Sequence, residues 1–232
     1  ILIILQVFMK ISYSGFQDIS NFNDNVLIIE EWVDAIVFDR WSNITNIQLE
    51  KNAKLQYFGY FSDGISVEKH FETLWKWSDA NINCFIHGKG DDTVNAKILW
   101  EVAKSKSKID IDAIAIVSDA WNVHIDWIIQ INKGVEKVEG FLDETNIFLW
   151  DKWSVRGFPT LLVRSNDVKA GHGCNIEKIS DEKLFYLRSR GINKNDSVTM
   201  MIQSYVETIF SNLESVDNQF HNNLIEEIIE KI

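Results

Sequence analysis

The feature that most constrains the fold is an alternation of apolar and polar residues that recurs along most of the chain. The clearest example is NVHIDWIIQIN at residues 122–132, where every second residue from Val123 to Ile131 is apolar. KIDIDAIAIV at residues 108–117 begins in the same way and then becomes continuously apolar. A period of two places one set of side chains in a core and the other outside, which is the pattern of a β-strand.

Short apolar runs of this kind recur and are separated by Asn, Asp, Ser, Lys and Gly, which favour turns. A loose tryptophan repeat accompanies them, in FDRWSN (38–43), WKWSD (75–79), SDAWNV (118–123) and WDKWSV (150–155). Recurrent short strands with a recurring turn predict a β-solenoid or a β-sandwich. We expect the tryptophans to pack in the core or at the coil edges, with a sugar-binding aromatic platform as the alternative.

The period of the sequence becomes helical downstream of about residue 171. The segment that follows Asn193, its predicted N-cap, has apolar residues at alternating steps of three and one. These residues are Val198, Met201, Ile202, Tyr205, Val206, Ile209, Phe210 and Leu213. A short helix is predicted over DEKLFYLRS (181–189) with Gly191 ending it, and a last helix follows from Phe220. The sequence therefore predicts a mainly β protein with α: a β core over 1–170 and a helical C-terminal domain over 171–232.

Composition argues against several classes of function but leaves room for a local basic patch. The net charge of −11 argues against a nucleic-acid-binding surface or an anionic membrane surface. Cys84 and Cys174 have no zinc-binding spacing, and two distant thiols favour a reducing cytoplasm. The opening ILIILQVFMK is shorter than the roughly 20 residues of a membrane span and lacks the basic start of a signal peptide. We expect it to form a strand at the edge of the core, and the initial Ile leads us to expect a fragment or a trimmed chain.

His172 is the first candidate site residue, because it lies between Gly171 and Gly173 and two residues before Cys174. Flanking glycines leave an imidazole uncrowded, and such a histidine can ligate iron or zinc or transfer a proton near neutral pH. An H-x-C pair supplies two ligands but does not close a metal site. The alternative is a turn histidine at the junction between the strands and the helices.

Other candidates carry weaker signals. His124 and Asp126 alternate on one strand face, which suits a catalytic dyad but equally a solvated face. Asp63, Asp91 and Asp92 are candidate carboxylates of a β-helical polysaccharide-active enzyme, although no spacing pairs them. No phosphate-binding or dinucleotide-binding glycine motif occurs, and HGKGDD (87–92) is too short for one.

The segments NDVKAGHG, DEKLFYLRSRGI and SVTMMIQSYVETI follow one another along the chain, with VEGFLDETNIFLWDKWSVRGFPTLLV upstream of them. Together, over about residues 138 to 212, they resemble the SufB/SufD family of the SUF iron–sulfur cluster assembly system. The upstream segment places Pro159, the only proline, where the family has one. A SufD-like member is favoured, because the cysteine-bearing strand typical of SufB has no counterpart near residues 140 to 155. Trp153 departs from the small residue of the family pattern, and the N-terminal helical domain of longer members is missing.

The resemblance implies a right-handed parallel β-helix followed by a small helical C-terminal domain. It also implies a cytoplasmic scaffold rather than an enzyme, with ATP hydrolysis by a SufC-type ATPase that docks on the helical domain. A SufB-type subunit would pair with the β-helix, and a homodimer is a further pairing. No tightly bound cofactor is expected, only transient iron or a nascent cluster at the partner interface. A non-catalytic β-solenoid interaction module remains an alternative, as does the polysaccharide-active enzyme.

Carried over residue by residue, the resemblance makes His172 the candidate cluster-assembly residue and metal ligand. Cys174 is either an additional ligand or, as we favour, a small buried residue. The candidate partner-binding residues are Phe185, Tyr186, Arg188, Arg190 and Gly191.

Overall fold

The alternating segments form the coils of a parallel β-solenoid. The computed structural model describes residues 8–40, 42–62, 66–89, 93–118, 122–149, 154–156 and 159–232. The strands are β1 (Phe8–Ile11), β2 (Gly15–Asp18), β3 (Val26–Ile29), β4 (Asp34–Asp39), β5 (Asn46–Leu49), β6 (Lys54–Ser62), β7 (Ser66–Thr73), β8 (Asp79–Lys89), β9 (Thr93–Val102), β10 (Lys108–Ser118), β11 (Asn122–Ile131), β12 (Glu136–Phe148), β13 (Ser154–Arg156), β14 (Thr160–Val163) and β15 (Asp167–Lys178).

Successive strands alternate between two sheets, and every pairing within each sheet is parallel. The first sheet has the order β1-β3-β5-β7-β9-β11-β13, with β14 also paired to β11, and the second has the order β15-β12-β10-β8-β6-β4-β2. Each coil therefore lies directly on the previous one, as in the pairing of Ala35 with Leu55 and of Leu55 with Ala80. This arrangement confirms the predicted parallel β-helix.

The inner core lies between the two sheets and contains the alternating apolar side chains. Ile125, Trp127, Ile129 and Ile131 of β11 are all buried in it, as the period of two predicts. Stacked rings join successive coils, since the ring centroids of Phe71 and Trp100 are 5.0 Å apart. The solenoid interior is thus a continuous packed core rather than a channel.

A buried ion pair interrupts the apolar interior near its middle. Lys69 Nζ lies 2.7 Å from Asp39 Oδ2 and donates to the Ile44 carbonyl oxygen. The hydroxyl of Tyr57 donates to the same carboxylate oxygen. Burial, and then the charge of Asp39, raise the pKa of Tyr57 well above its ordinary value, so the phenol remains a donor. Both charges are thereby paired and hydrogen-bonded within the fold.

The repeated tryptophans differ in their environments. Trp75 and Trp77 lie exposed in the turn between β7 and β8, at the coil edge, and Lys106 Nζ lies 4.3 Å from the centroid of the Trp77 ring. Trp100 and Trp127, outside the repeat, are fully buried. The other repeat tryptophans lie outside the described residues; these are Trp41, Trp121, Trp150 and Trp153.

Three helices follow the solenoid: α1 (Asp181–Ser189), α2 (Lys194–Glu214) and α3 (Asn218–Lys231). The predicted N-cap is confirmed, because the Asn193 side chain accepts a hydrogen bond from the Asp196 amide. Gly191, with a φ of 89°, ends α1 in the left-handed region. No helix in the described part of the chain is long and apolar enough to cross a membrane.

A second core, which we call the outer core, forms where α2 and α3 pack against the outer face of the second sheet. Phe210 of α2 lies against Phe38, Phe58 and Phe85, with ring centroids 6.2 to 6.3 Å apart. The strands beneath the helices are therefore buried on both faces, which explains why the alternation in β10 gives way to a continuous apolar run. The solenoid and the helices share this core.

An ion-pair network also joins the helices to the solenoid. Arg40 Nη1 and Lys231 Nζ lie 2.7 and 2.9 Å from Glu227 Oε1. Burial acts to raise the pKa of Glu227, but the hydrogen bonds from Lys231 and Arg40 outweigh it and hold that pKa below its ordinary value.

Strand β15 continues to Lys178, and α1 begins at Asp181. The GHGC sequence therefore belongs to the last strand of the solenoid and not to the helical segment.

Candidate functional site

The candidate site lies on the last coil of the solenoid, on the inner face of β15. His172 pairs with Leu142 of β12, and Cys174 pairs with Glu144. Paired residues of parallel strands point to the same side, and Leu142 belongs to the inner core. His172 and Cys174 are nevertheless exposed, because β15 is the terminal strand of its sheet in the described structure. In the earlier coils the equivalent positions are buried in the inner core. In the last coil these side chains face solvent.

The glycines beside His172 make room for the outward side chains of β12. Neither Gly171 nor Gly173 has a positive φ, so both are ordinary extended residues of a strand. A Cβ on Gly173 would lie 2.5 Å from Asp143 Oδ1, and a Cβ on Gly171 would lie 3.4 Å from the Phe141 ring. His172 is therefore a strand residue, and the alternative of a turn histidine is wrong.

Cys174 is exposed, so the favoured expectation that it is a small buried residue is wrong. It lies next to Glu144 in the strand register, and its thiol interacts electrostatically with Glu144 and Asn146. The residue as a whole is exposed, but the strand covers part of its thiol, and this partial burial, followed by the Glu144 charge, raises the pKa of the Cys174 thiol. Cys84, by contrast, is enclosed in the inner core, and burial raises its pKa so far that the thiol stays protonated.

Glu144 and Asn146 occupy inward positions of β12 between the core residues Leu142 and Phe148. They are 3% and 1% exposed. Burial raises the pKa of Glu144, against hydrogen bonds that lower it, the largest of them to Asn146. Neither residue was a candidate from the sequence. The sequence did contain a signal for them. In DETN (143–146), Glu144 and Asn146 occupy the alternating positions at which a strand of this kind normally has apolar residues.

The described part of the chain holds no group of three His, Cys, Asp or Glu side chains close enough to enclose a metal ion. His172, Cys174 and Glu144 share the inner face of the last coil but do not converge on one point. The chain therefore offers an open set of ligands in place of a closed metal cage.

The predicted partner-binding residues lie on α1 and at its C-terminal end. Phe185 and Tyr186 are 74% and 56% exposed, and α1 buries none of its residues fully. The Arg190 guanidinium lies 5.0 Å from the centroid of the Tyr186 ring. Arg188 and Gly191 line a shallow depression beside Phe185. The five residues thus form one exposed surface of aromatic and basic side chains, which we call the α1 surface.

The remaining candidates gain no support as sites. His124 and Asp126 lie on a solvated face with His124 Nε2 3.6 Å from Asp126 Oδ1, and both are well exposed. The carboxylates considered for a polysaccharide-active enzyme lie outside the described residues; these are Asp63, Asp91 and Asp92.

Comparison with known proteins matches residues 29–205 to the family described as "SUF system FeS cluster assembly, SufBD core domain". The iron–sulfur cluster assembly protein SufD of Escherichia coli strain K12 is 34% identical over 90 residues, which are 39% of this chain and 21% of that protein. The protein of the same name from Bacillus subtilis strain 168 is 22% identical over 165 residues, 70% of this chain and 38% of its own length. The chain covers less than two thirds of the length of either relative.

Proposed function

The chain belongs to the family of SUF-system iron–sulfur cluster assembly proteins that share the SufBD core domain, and we propose that it acts there as a SufD-like scaffold subunit. In this proposal it works with SufB-type and SufC-type partners in the cytoplasm and catalyses no reaction of its own. Iron and the nascent cluster are its cargo. The observation that carries the proposal is the open last coil, which presents His172 and Cys174 where a further coil would otherwise cover them.

The last coil also has the character of an interface. Ile176 lies on its inner face and is 55% exposed, and Leu162 and Val163 of β14 are exposed on the other sheet. An uncovered terminal strand with exposed apolar neighbours favours association with another chain. We propose that a SufB-type subunit covers this coil, with a second copy of the chain as the alternative occupant. His172 would then lie at the interface and contact the nascent cluster.

The α1 surface supports docking of a SufC-type ATPase. Exposed aromatic residues next to arginines are the side chains that most often dominate the binding energy of protein interfaces. Phe185 and Tyr186 project from a helix whose apolar contacts run through Leu184 and Leu187 to the outer core. The surface is therefore presented on an anchored helix. ATP hydrolysis belongs to the partner in this proposal, because the sequence has no phosphate-binding motif.

The docking proposal is tested by co-purification with a SufC-type ATPase. The Phe185→Ala/Tyr186→Ala variant should lose at least about thirty-fold in affinity, because even one hot-spot truncation costs about 2 kcal/mol or more. Point substitutions are preferable to deletion of the helices, which would expose the outer core. Met200→Ala is the matched control, since Met200 is an exposed apolar residue of α2 outside the α1 surface. Equal binding by both variants and the wild type would contradict the assignment.

A further inference from the structure

The inner end of the solenoid contains acceptor atoms that lack partners. The Asn146 Nδ2 group donates to Glu144 Oε1 at 3.0 Å, and this bond joins the two side chains. Glu144 Oε2 and Asn146 Oδ1 are buried and have no hydrogen-bond partner. Buried polar atoms are nearly always paired in folded proteins, so two such atoms on one strand indicate that something else satisfies them.

Cys174 forms the solvent side of this cluster. Its side chain lies beside Glu144 in the parallel register, and the thiol interacts electrostatically with both Glu144 and Asn146. Trp127, from the opposite sheet, approaches the carboxyl from the interior, but its indole nitrogen makes no hydrogen bond of normal geometry. The cluster is therefore closed on its inner side by an aromatic residue and open to solvent at Cys174.

The groups at this point favour a cation over other ligands. Glu144 takes part in none of the ion pairs found among the described residues, and the hydrogen bond to its carboxyl group comes from the neutral Asn146 amide. A water molecule could pair with the two oxygens while Glu144 is protonated, the form that its raised pKa favours. A cation would instead displace that proton, bind both oxygens and take the Cys174 sulfur as a third donor. A thiolate beside two oxygens suits a borderline divalent metal such as Fe²⁺ or Zn²⁺, since Mg²⁺ and Ca²⁺ prefer all-oxygen sites.

We propose that Glu144, Asn146 and Cys174 form an open binding site for a divalent transition-metal ion at the end of the solenoid. On binding, the Cys174 S–H bond breaks, a metal–sulfur bond forms and the proton passes to solvent. Three donors leave coordination positions free, so the ion can be handed on. The choice of Fe²⁺ as the natural ion rests on the proposed function, in which iron is the cargo. The proposal that a metal site exists does not depend on that function.

The test is a Co²⁺ titration of the whole 232-residue chain, reduced and without partners, in which binding is monitored by the thiolate-to-cobalt charge-transfer absorption. The wild type should show one saturating band that Fe²⁺ displaces under anaerobic conditions. The band should disappear in Cys174→Ser, and Glu144→Gln should weaken Co²⁺ binding by at least about ten-fold. Absence of the band from the wild type, or its persistence in Cys174→Ser, would overturn the proposal.

Matched variants separate this site from its surroundings. Asp143→Asn removes a carboxylate from the outward face of the same strand, and Cys84→Ala removes the enclosed thiol, so both should keep the band. Circular dichroism checks that each variant folds. Co²⁺ should raise the thermal midpoint of the wild type but not that of Glu144→Gln. If Asp143→Asn weakens binding as much as Glu144→Gln, the inner site is wrong.

The inference and the proposed function can fail separately. His172→Ala should retain the cobalt band, because His172 is not among the three donors. If the band is normal but His172→Ala supports full cluster formation with the partners, the proposed role of His172 fails and the metal site stands. If the band is absent but His172→Ala abolishes cluster formation, the metal site fails and the proposed function stands.

Discussion

Truncation of Phe210 tests whether the helices and the solenoid unfold as one unit. The side chain is fully buried, and its ring contacts Phe38, Phe58 and Phe85 of the second sheet. Truncating a buried Phe to Ala costs about 3–5 kcal/mol, and loss of the aromatic pairs favours the upper half of that range. We expect Phe210→Ala to lower the free energy of unfolding by about 4 kcal/mol. With an m-value of about 2.5 kcal/mol per M, the urea midpoint falls by about 1.5 M.

Two optical signals make this measurement specific. All tryptophans precede residue 154, so tryptophan fluorescence reports on the solenoid part of the chain. Helical circular dichroism reports mainly on residues 181–231. Both midpoints should fall together in Phe210→Ala, because the outer core is shared. Phe185→Ala is the control, and with its exposed side chain it should change stability by no more than about 0.5 kcal/mol. If the fluorescence midpoint stays unchanged while the helical signal shifts, the helices form an independent domain and the account is wrong.

Two further predictions concern buried and bridging charges. Because the pKa of Glu227 is lowered in the fold, its contribution to stability is present above the unfolded value of about 4.3 and is lost as pH falls through the folded pKa. Urea unfolding measured from about pH 7 to about pH 3 should therefore show that the free energy of unfolding falls less in Glu227→Gln than in the wild type. Parallel plots of that free energy against pH would contradict this prediction. Lys69→Met leaves the Asp39 charge buried without its cation and should cost about 3–5 kcal/mol, part of which Asp39→Asn restores in the double variant. A urea midpoint close to that of the wild type in the single variant would refute the ion-pair assignment.

The architecture could be predicted from the sequence where the pattern is local. The period of two in β11 and the alternating steps of three and one in α2 reflect which side chains a single element buries, and both predictions are confirmed. The continuous apolar run at the end of β10 was less informative. Its second buried face depends on α2, which begins only at Lys194, and on α3 beyond it, and no local period encodes so long-range a contact.

The site could be predicted only in part. His172 was found through its motif, but its place in a strand was missed because flanking glycines usually indicate a turn. Here Gly171 and Gly173 accommodate side chains of the neighbouring coil, which depends on register rather than on local sequence. Cys174 was expected to be buried because a free cysteine is usually a small buried residue. It is exposed because no described strand covers the last coil. The alternation within a strand cannot indicate whether a further strand lies next to it.

The most direct test of the proposed function is cluster formation by the complex reconstituted with SufB-type and SufC-type partners, ferrous iron and sulfide. The rate of cluster formation is followed by absorbance for the wild type, His172→Ala and the control His124→Ala, which removes an exposed histidine from the other sheet. The account predicts that His172→Ala still assembles with its partners but loses cluster formation, while His124→Ala retains the wild-type rate. Cluster formation at the wild-type rate in His172→Ala would contradict the account.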